Sequence, residues 1–282
     1  MLNYFQAFIL GGLQGMTELF PVSSLGHSVI LPKLLGWDIA QGDDAFLVFL
    51  VATHFATALV LIGFFFKDWL LITGGIMRSL KTGRINTNDT YAKLGWLLII
   101  ATIPAGLLGL LLEKKLKLLF AVPLYASLFL FANGIMLYGA EKLRKAKQKE
   151  SVDDTHLAKL PFLKGLWIGC AQCIALLPGF SRTGATLGGG LLAGFGHEDA
   201  ARFSFLMATP IITLAALHKL PELIHGTASD MLGQTLFGSL VSGIAAYLSV
   251  RFLTKYFKTN TLTPFAIYCL VVGGISFVIF NF

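Results

Sequence analysis

The chain has 282 residues, of which 55% are hydrophobic and only 13% are charged, and its mean hydropathy is +0.74. Soluble domains carry about 25% charged residues, so the composition excludes an ordinary soluble protein and indicates one that crosses a membrane. The net charge of +7 would suit nucleic-acid binding, but basic cytoplasmic loops explain such an excess in a membrane protein. We therefore expect no nucleic-acid partner.

The first element of the chain is unusually polar for a membrane protein. Residues 14–28 read QGMTELFPVSSLGHS and place an acid, an imidazole and hydroxyl groups around a proline. Charges at such depth in a membrane are costly and are usually functional. We predict that residues 1–35 form a re-entrant helical hairpin with the proline at its tip; an ordinary span kinked by proline is the alternative.

Six apolar stretches approach the roughly 20 residues that a helix needs to cross a bilayer. A shorter segment, residues 69–79, follows the first of them and is expected to lie at the membrane interface. The predicted spans are 46–66, 94–112 and 123–140 in the first half of the chain, and 203–218, 232–252 and 262–280 in the second half.

A second polar block, residues 164–200, resembles the first and is predicted to form a second hairpin. Its WIGCAQCIALLPGFSRTGAT repeats the order of LGGLQGMTELFPVSSLGHS: small residues, Gln, an apolar turn, Pro, hydroxyls and Gly. Three spans follow each block, and an odd number of spans inverts the second copy. The sequence thus predicts an all-α membrane domain over 1–282 with an inverted repeat, in which copies 1–140 and 164–282 flank a basic cytoplasmic loop, 141–163. Such repeats place a polar site near the membrane midplane.

The two blocks each contribute one deep charge, Glu18 and Arg182. A plain ion pair that locks the two halves together would neutralise both charges, but it would not explain the polar groups beside them. Gln14 and Glu18 are four residues apart and share one helix face, where two oxygen ligands suit Mg²⁺ or Ca²⁺. Arg182 offers a planar fork for two phosphate oxygens.

The turns after the two prolines suit an anion. Gly179 and Gly184 permit tight backbone, and N–H groups near the start of a helix favour negative charge. An anion site, an arginine, a cation site, hydroxyl groups and a histidine together describe phosphoryl transfer. His54, on an apolar span, is expected to be a packed histidine. The hydroxyl and imidazole groups at the two tips belong to Ser23, Ser24, His27, Ser28, Ser181, Thr183 and Thr186.

At these residues the chain resembles the undecaprenyl-diphosphate phosphatases, the bacitracin-resistance family of bacterial cell-wall synthesis. The family's first motif corresponds to Gln14 and Glu18, its PVSSxGH motif to residues 21–27 and its PGxSRSxxT motif to residues 178–186. TPFAIY at 263–268 is similar to the family's last span, so the resemblance covers essentially the whole chain. Many relatives have Glu where this chain has Gln14, so a metal site here would carry one less negative charge.

The resemblance implies an integral-membrane enzyme that hydrolyses undecaprenyl diphosphate to undecaprenyl phosphate and phosphate. This reaction recycles the lipid carrier for cell-wall synthesis and confers resistance to bacitracin. The resemblance also implies dependence on Mg²⁺ or Ca²⁺, a homodimer in the bacterial plasma membrane and a site open to the periplasmic side. A lipid or phosphate-ester transporter is the alternative, since inverted repeats around a midplane site are typical of transporters.

The family's motifs also imply roles for individual residues. By matching position, Gln14 and Glu18 would serve the metal or the diphosphate. Ser24 or His27 would be the nucleophile or the base, and the sequence leaves the choice between them open. Phosphate would be bound by Arg182 together with Ser23, Gly179, Ser181, Thr183, Gly184 and Thr186.

The basic residues of the loops predict the orientation of the chain. The loops at 67–93 and 141–164 hold twelve of the 22 Lys and Arg residues. Two spans separate these loops, so both can face the cytoplasm. The loop at 36–45 has no Lys or Arg and is expected to face the outside.

Cysteine labelling tests this orientation. In a chain whose three native cysteines are replaced, single cysteines at Lys81 and Gln148 should react with an impermeant thiol reagent only from the cytoplasmic side. A cysteine at Gly42 should react only from outside. Labelling of positions 42 and 148 from the same side would contradict the inverted repeat.

Overall fold

The structure is a computed structural model that describes residues 2–39, 43–120, 122–144, 157–225 and 231–282. Positions 42 and 148, and most of the predicted basic loop, lie outside these ranges. No β-strand occurs within them, which confirms the all-α prediction. The helices that the described ranges contain are α1 (Tyr4–Thr17), α2 (Ser24–Leu34), α3 (Asp44–Phe64), α4 (Phe66–Thr82), α5 (Thr90–Phe120), α6 (Pro123–Leu143), α7 (Phe162–Gln172), α8 (Arg182–Ala193), α9 (His197–His225), α10 (Leu232–Tyr256) and α11 (Thr263–Asn281).

Six of these helices are long and apolar enough to cross a membrane: α3, α5, α6, α9, α10 and α11. They confirm the six predicted spans, although their ends differ. One correction is at α9, which begins at His197, inside the block that was predicted to continue to residue 200. The first turn of α9 is polar, and its histidine is hydrogen-bonded to the protein: His197 Nε2 donates to Glu141 Oε2 of α6 at 2.8 Å. That contact allows a polar turn to extend the span.

The two polar blocks each fold as a pair of short helices around a proline turn. In the first block, α1 ends at Thr17, and the chain turns through Pro21 before α2 begins. In the second, α7 passes into a short 3₁₀ helix, Cys173–Leu176, before the turn that contains Pro178 and the start of α8. None of these four helices is among those long enough to cross a membrane.

Both turns lead into helices that are capped in the same way. Ser23 precedes α2 and accepts the Gly26 N–H at 3.1 Å, and Ser181 precedes α8 and accepts the Gly184 N–H at 3.0 Å. A serine at this position satisfies a backbone donor that the helix itself leaves unpaired. The matching caps place residues 24 and 182 at the first position of their helices.

The first helix of each pair packs against a span of the other half of the chain. Helix α1 contacts α10, and α7 contacts α5. A Cβ atom on Gly11 would lie 2.3 Å from the Gly238 carbonyl oxygen, and one on Gly169 would lie 2.3 Å from the Ala101 carbonyl oxygen. Small residues permit this close helix contact in membrane proteins.

Candidate functional site

The tips of the two polar blocks meet at their glycines. A Cβ atom on Gly26 would lie only 2.9 Å from the Gly179 Cα atom. Gly179 also has φ +112°, a conformation that residues with a side chain rarely adopt. Gly26 and Gly179 therefore allow two backbone turns, far apart in the sequence, to come into direct contact.

A side chain from α6 connects both tips. Asn133 is fully buried, and its Nδ2 donates to the Pro21 carbonyl oxygen at 3.0 Å. Its Oδ1 accepts the Ser181 N–H, also at 3.0 Å. One amide thus satisfies a carbonyl group of the first tip and an N–H group of the second. Sequence reasoning missed Asn133, because a single polar residue on a span does not reveal its partners.

The carboxylate of Glu18 is the centre of the site. Its Oε1 accepts two bonds from Arg182, at 3.0 Å from Nη2 and 3.3 Å from Nε. Its Oε2 lies 2.5 Å from Ser24 Oγ, 3.1 Å from His54 Nε2 and 3.4 Å from Gln14 Nε2. The side chain is only 6% exposed. Four side chains from α1, α2, α3 and α8 therefore converge on one buried acid.

The ion pair between Glu18 and Arg182, which the sequence analysis considered as a structural alternative, is present, but it is not isolated. A lock between the two halves would require only the contact of Arg182 with Oε1. The second oxygen, Oε2, instead accepts a hydrogen bond from the Ser24 hydroxyl. A buried carboxylate that contacts both a hydroxyl group and a guanidinium has the parts needed to activate one and to neutralise charge through the other.

His54 belongs to the site, although the sequence analysis interpreted it as a packed histidine. Its Nδ1 lies 2.6 Å from the Leu50 carbonyl oxygen, which can only accept, so Nδ1 carries a proton. Its Nε2 faces Glu18 and lies 3.5 Å from Ser24 Oγ. The sequence signal was a histidine inside an apolar span, but its proximity to residue 18 depends on how α1 and α3 pack.

Both ring nitrogens of His27 bond to groups other than the Ser24 hydroxyl, although the sequence analysis named His27 as a possible base for that serine. Its Nδ1 lies 2.6 Å from the Ser23 carbonyl oxygen, and its Nε2 lies 2.8 Å from the Tyr268 hydroxyl group. The His27 and Tyr268 rings are stacked, with centroids 5.6 Å apart. His27 therefore holds the backbone of Ser23, whose φ of +68° is unusual for a residue with a side chain.

Two of the hydroxyl groups predicted to bind phosphate hold the two tips together. Thr183 Oγ1 donates to the Glu18 carbonyl oxygen at 2.8 Å, and Ser181 Oγ lies 3.5 Å from the Phe20 carbonyl oxygen. Thr186 Oγ1 lies 2.6 Å from Ser204 Oγ of α9. The Gly184 N–H is already bonded to the Ser181 cap. These residues surround the site, and their hydroxyl and N–H groups contact other protein atoms.

The two predicted cation ligands, Gln14 and Glu18, each carry side-chain oxygen atoms. Within the described residues there is no group of three or more His, Cys, Asp or Glu side chains that could hold a metal. Gln14 is fully buried, and its Oε1 has no hydrogen-bond partner among the residues described. An unpaired amide oxygen beside a carboxylate fits a hard cation that takes its other ligands from water and phosphate.

Comparison with known proteins identifies the family. Residues 7–275 match the family described as "Bacitracin resistance protein BacA". The chain belongs to this family. An undecaprenyl-diphosphatase of Mycolicibacterium paratuberculosis is 47% identical over 298 residues, covering 98% of this chain and 97% of the relative. One of Mycobacterium avium is also 47% identical, with the same coverage.

A more distant relative gives the same result. The undecaprenyl-diphosphatase 2 of Chromobacterium violaceum is 44% identical over 279 residues, covering 98% of each chain. The resemblance drawn from residues 14–28 and 178–186 is thereby confirmed over nearly the full length of this chain.

The contacts of Asn133 predict a loss of catalysis when they are removed. Asn133→Ala would leave the buried Ser181 N–H group unpaired, at a cost of about 1–3 kcal/mol, and would leave the Pro21 carbonyl oxygen with a long contact from Cys269 Sγ, at 3.9 Å. It would also loosen the alignment of Ser24 with Arg182. A misplacement of about 1 Å can cost a hundredfold in rate, so turnover should fall tenfold to a hundredfold, roughly, with a lower melting temperature.

Ser127→Ala is the matched control for Asn133→Ala. Ser127 is a fully buried polar residue on the same helix, but within the described ranges its hydroxyl donates only to the Leu124 carbonyl oxygen of that helix. This variant should keep nearly wild-type turnover. Equal turnover in the Asn133 and Ser127 variants would refute a role for Asn133 in aligning the tips.

Proposed function

We propose that this chain is an undecaprenyl-diphosphatase, which hydrolyses undecaprenyl diphosphate to undecaprenyl phosphate and phosphate. The observation that carries the proposal is the Glu18 carboxylate, which contacts Ser24 of one tip and Arg182 of the other. The names of the relatives and the bacitracin-resistance description of the family point to the same reaction. A transporter would not require a hydroxyl group bonded to a buried acid.

In the proposed mechanism Ser24 is the nucleophile. Its Oγ attacks the terminal phosphorus, and its proton passes to Glu18 Oε2, the atom to which it is already hydrogen-bonded. The bond from that phosphorus to the bridging oxygen breaks, so the lipid monophosphate leaves. Water then hydrolyses the phosphoserine, releases phosphate and restores the Ser24 hydroxyl group. Of the two candidates named from the sequence, Ser24 is favoured because both ring nitrogens of His27 are engaged elsewhere.

Arg182 and His54 would stabilise the charge that develops during this step. Both side chains contact the Glu18 carboxylate, which also contacts Ser24, so a phosphate group that approaches Ser24 also approaches Arg182 and His54. The Nη1 atom of Arg182 has one long contact, at 3.5 Å from the Ser204 carbonyl oxygen, and a phosphate oxygen could replace it. His54 donates from Nδ1 to the Leu50 carbonyl oxygen and from Nε2 to Glu18 Oε2, so its ring places a second positive charge beside the carboxylate that accepts the Ser24 proton.

We also propose that Gln14 and Glu18 take part in holding Mg²⁺ or Ca²⁺ together with the diphosphate. The unpartnered Gln14 Oε1 and the adjacent carboxylate support this assignment. A bound cation would supply neutralisation of phosphate charge.

The placement in the membrane is proposed from helix lengths and packing. Helices α1 and α2 have 14 and 11 residues, about 21 and 17 Å, which is less than the roughly 30 Å of the hydrocarbon core. This favours a re-entrant hairpin, and α7 with α8 has a similar form. The reciprocal packing of α1 on α10 and α7 on α5 supports an inverted repeat.

Six candidate spans and the family support a multi-pass protein of the bacterial plasma membrane. We propose that the site opens to the periplasmic side and that the enzyme is a homodimer. Both proposals rest on the family resemblance.

The role of Ser24 can be tested by phosphate release from undecaprenyl diphosphate in detergent, where no gradient exists and transport contributes nothing. Ser24→Ala should lower turnover by about a hundredfold or more. Ser28→Ala is the matched control, because Ser28 lies one turn along α2 and its buried hydroxyl has no hydrogen-bond partner in the described part of the chain. A Ser24→Ala enzyme with near-normal turnover would exclude Ser24 as nucleophile.

The role of Arg182 separates phosphate binding from a structural ion pair. Arg182→Lys keeps the positive charge beside Glu18 but loses the planar fork that suits phosphate oxygens. We expect a folded protein with a melting temperature near that of the wild type, but with most diphosphate hydrolysis lost. The loss should appear in kcat as well as in KM, because the contact acts on developing charge. Wild-type turnover in Arg182→Lys would exclude phosphate binding by the guanidinium and would leave the ion pair with Glu18 as the role of Arg182.

A further inference from the structure

Helix α4 presents an apolar stripe that the protein does not cover. Phe66, Leu70, Met77 and Leu80 are all exposed. At about 100° per residue these positions fall within one stripe of a helix. The helix has 17 residues and is not among those long enough to cross a membrane, so this stripe does not belong to a span.

The opposite face of α4 is buried against α5. Ile72, Gly75 and Ser79 are buried, and a Cβ atom on Gly75 would lie 2.4 Å from the Ala92 backbone nitrogen of α5. Because α4 is held this closely against α5, the direction of its exposed stripe is set by the fold. The sequence prediction placed residues 69–79 at the membrane interface on length alone, and the orientation of the helix adds a physical reason for that placement.

A basic edge runs beside the apolar stripe. Lys67, Arg78 and Lys81 are exposed, and their spacing of eleven and three residues places them on one side of the helix. A helix with an apolar stripe bordered by basic residues is typical of one that lies in the surface of a membrane containing anionic lipids.

The basic edge ends at a pocket between the last turns of α4 and the start of α5. The pocket has a volume of about 230 Å³ and is lined by Arg78, Ser79, Lys81, Thr82, Arg84, Asn86 and Asp89. Cationic and neutral hydrogen-bond donors predominate among these side chains. Such a lining suits a phosphate group.

The charges in the pocket do not cancel. Arg78 binds Asp89 with Nε at 2.8 Å and Nη2 at 3.0 Å, and this contact holds the pKa of Asp89 below its usual range. Asp89 therefore stays ionised and compensates Arg78. Lys81 and Arg84 have no carboxylate partner among the residues that the structure describes, so the pocket keeps a positive charge.

A tryptophan side chain also contacts a residue that lines the pocket. Trp96 Nε1 donates to Ser79 Oγ at 2.8 Å, which places the Trp96 ring beside the pocket. Tryptophan is enriched at the level of lipid headgroups. The apolar stripe, the basic edge, the pocket and the indole thus occur together at one end of α4.

We propose that α4 lies in the membrane surface and that this pocket binds the phosphate headgroup of an anionic phospholipid. Lys81 and Arg84 contact the phosphate, and the acyl chains extend along the exposed stripe of Phe66, Leu70 and Met77. The occupant is a lipid rather than free phosphate because the positive pocket is continuous with an apolar surface. The site is separate from Glu18 and its partners and does not depend on the proposed reaction.

The test is native mass spectrometry of the whole protein in detergent, titrated with phosphatidylglycerol or with phosphatidylcholine of the same acyl chains. The wild type should bind phosphatidylglycerol more tightly. The double variant Lys81→Gln, Arg84→Gln should lose this preference, with phosphatidylglycerol affinity reduced roughly fivefold per basic residue removed, or about twentyfold to thirtyfold for the pair. Phosphate release from undecaprenyl diphosphate in detergent without added phospholipid should be unchanged.

The matched control is Arg251→Gln, Lys255→Gln, which removes the same charge from two exposed positions of α10. This control should bind phosphatidylglycerol as the wild type does. Three results would overturn the proposal: equal affinity of the wild type for the two lipids, equal loss in the test and control variants, or complete competition by millimolar inorganic phosphate. The last result would identify a free anion as the occupant.

Discussion

The burial of the Glu18 carboxylate is the constraint on which the rest of the site depends. An unpaired charge at that depth would cost several kcal/mol, so the fold must bring donors to both of its oxygens. Arg182 supplies them on Oε1, and Ser24, His54 and Gln14 supply contacts on Oε2. These donors come from both halves of the chain. The same contacts that make the charge tolerable also align a hydroxyl group and a guanidinium for phosphoryl transfer.

Close backbone packing is what makes this convergence possible. Gly26 and Gly179 let the two tips touch, and Gly11 and Gly169 let the first helix of each pair approach a span of the other half. Asn133 then fixes both tips to α6 through two hydrogen bonds. Larger residues at the glycines would separate Ser24 from Arg182. The chemistry of the site is thus linked to packing along the whole membrane domain.

The two histidines show how far sequence reasoning could reach. The motif around residues 21–27 drew attention to His27, which the structure places against Ser23 and Tyr268. His54, interpreted as a packing residue, lies 3.1 Å from Glu18 Oε2. Residues near each other in the sequence can share a turn and still point to different partners. Only the packing of α3 against α1 decides which imidazole reaches the carboxylate.

The sequence by itself determined the membrane class, the six spans and the two polar blocks with their deep charges, Glu18 and Arg182, because hydropathy, proline turns and rare charges in apolar segments are local signals. Tertiary structure decided the rest. The positions of His54 and Asn133, the start of α9 at His197 and the orientation of α4 depend on contacts between elements far apart in the chain. Such contacts are set by interhelical packing and hydrogen bonding, which no local pattern in the sequence records.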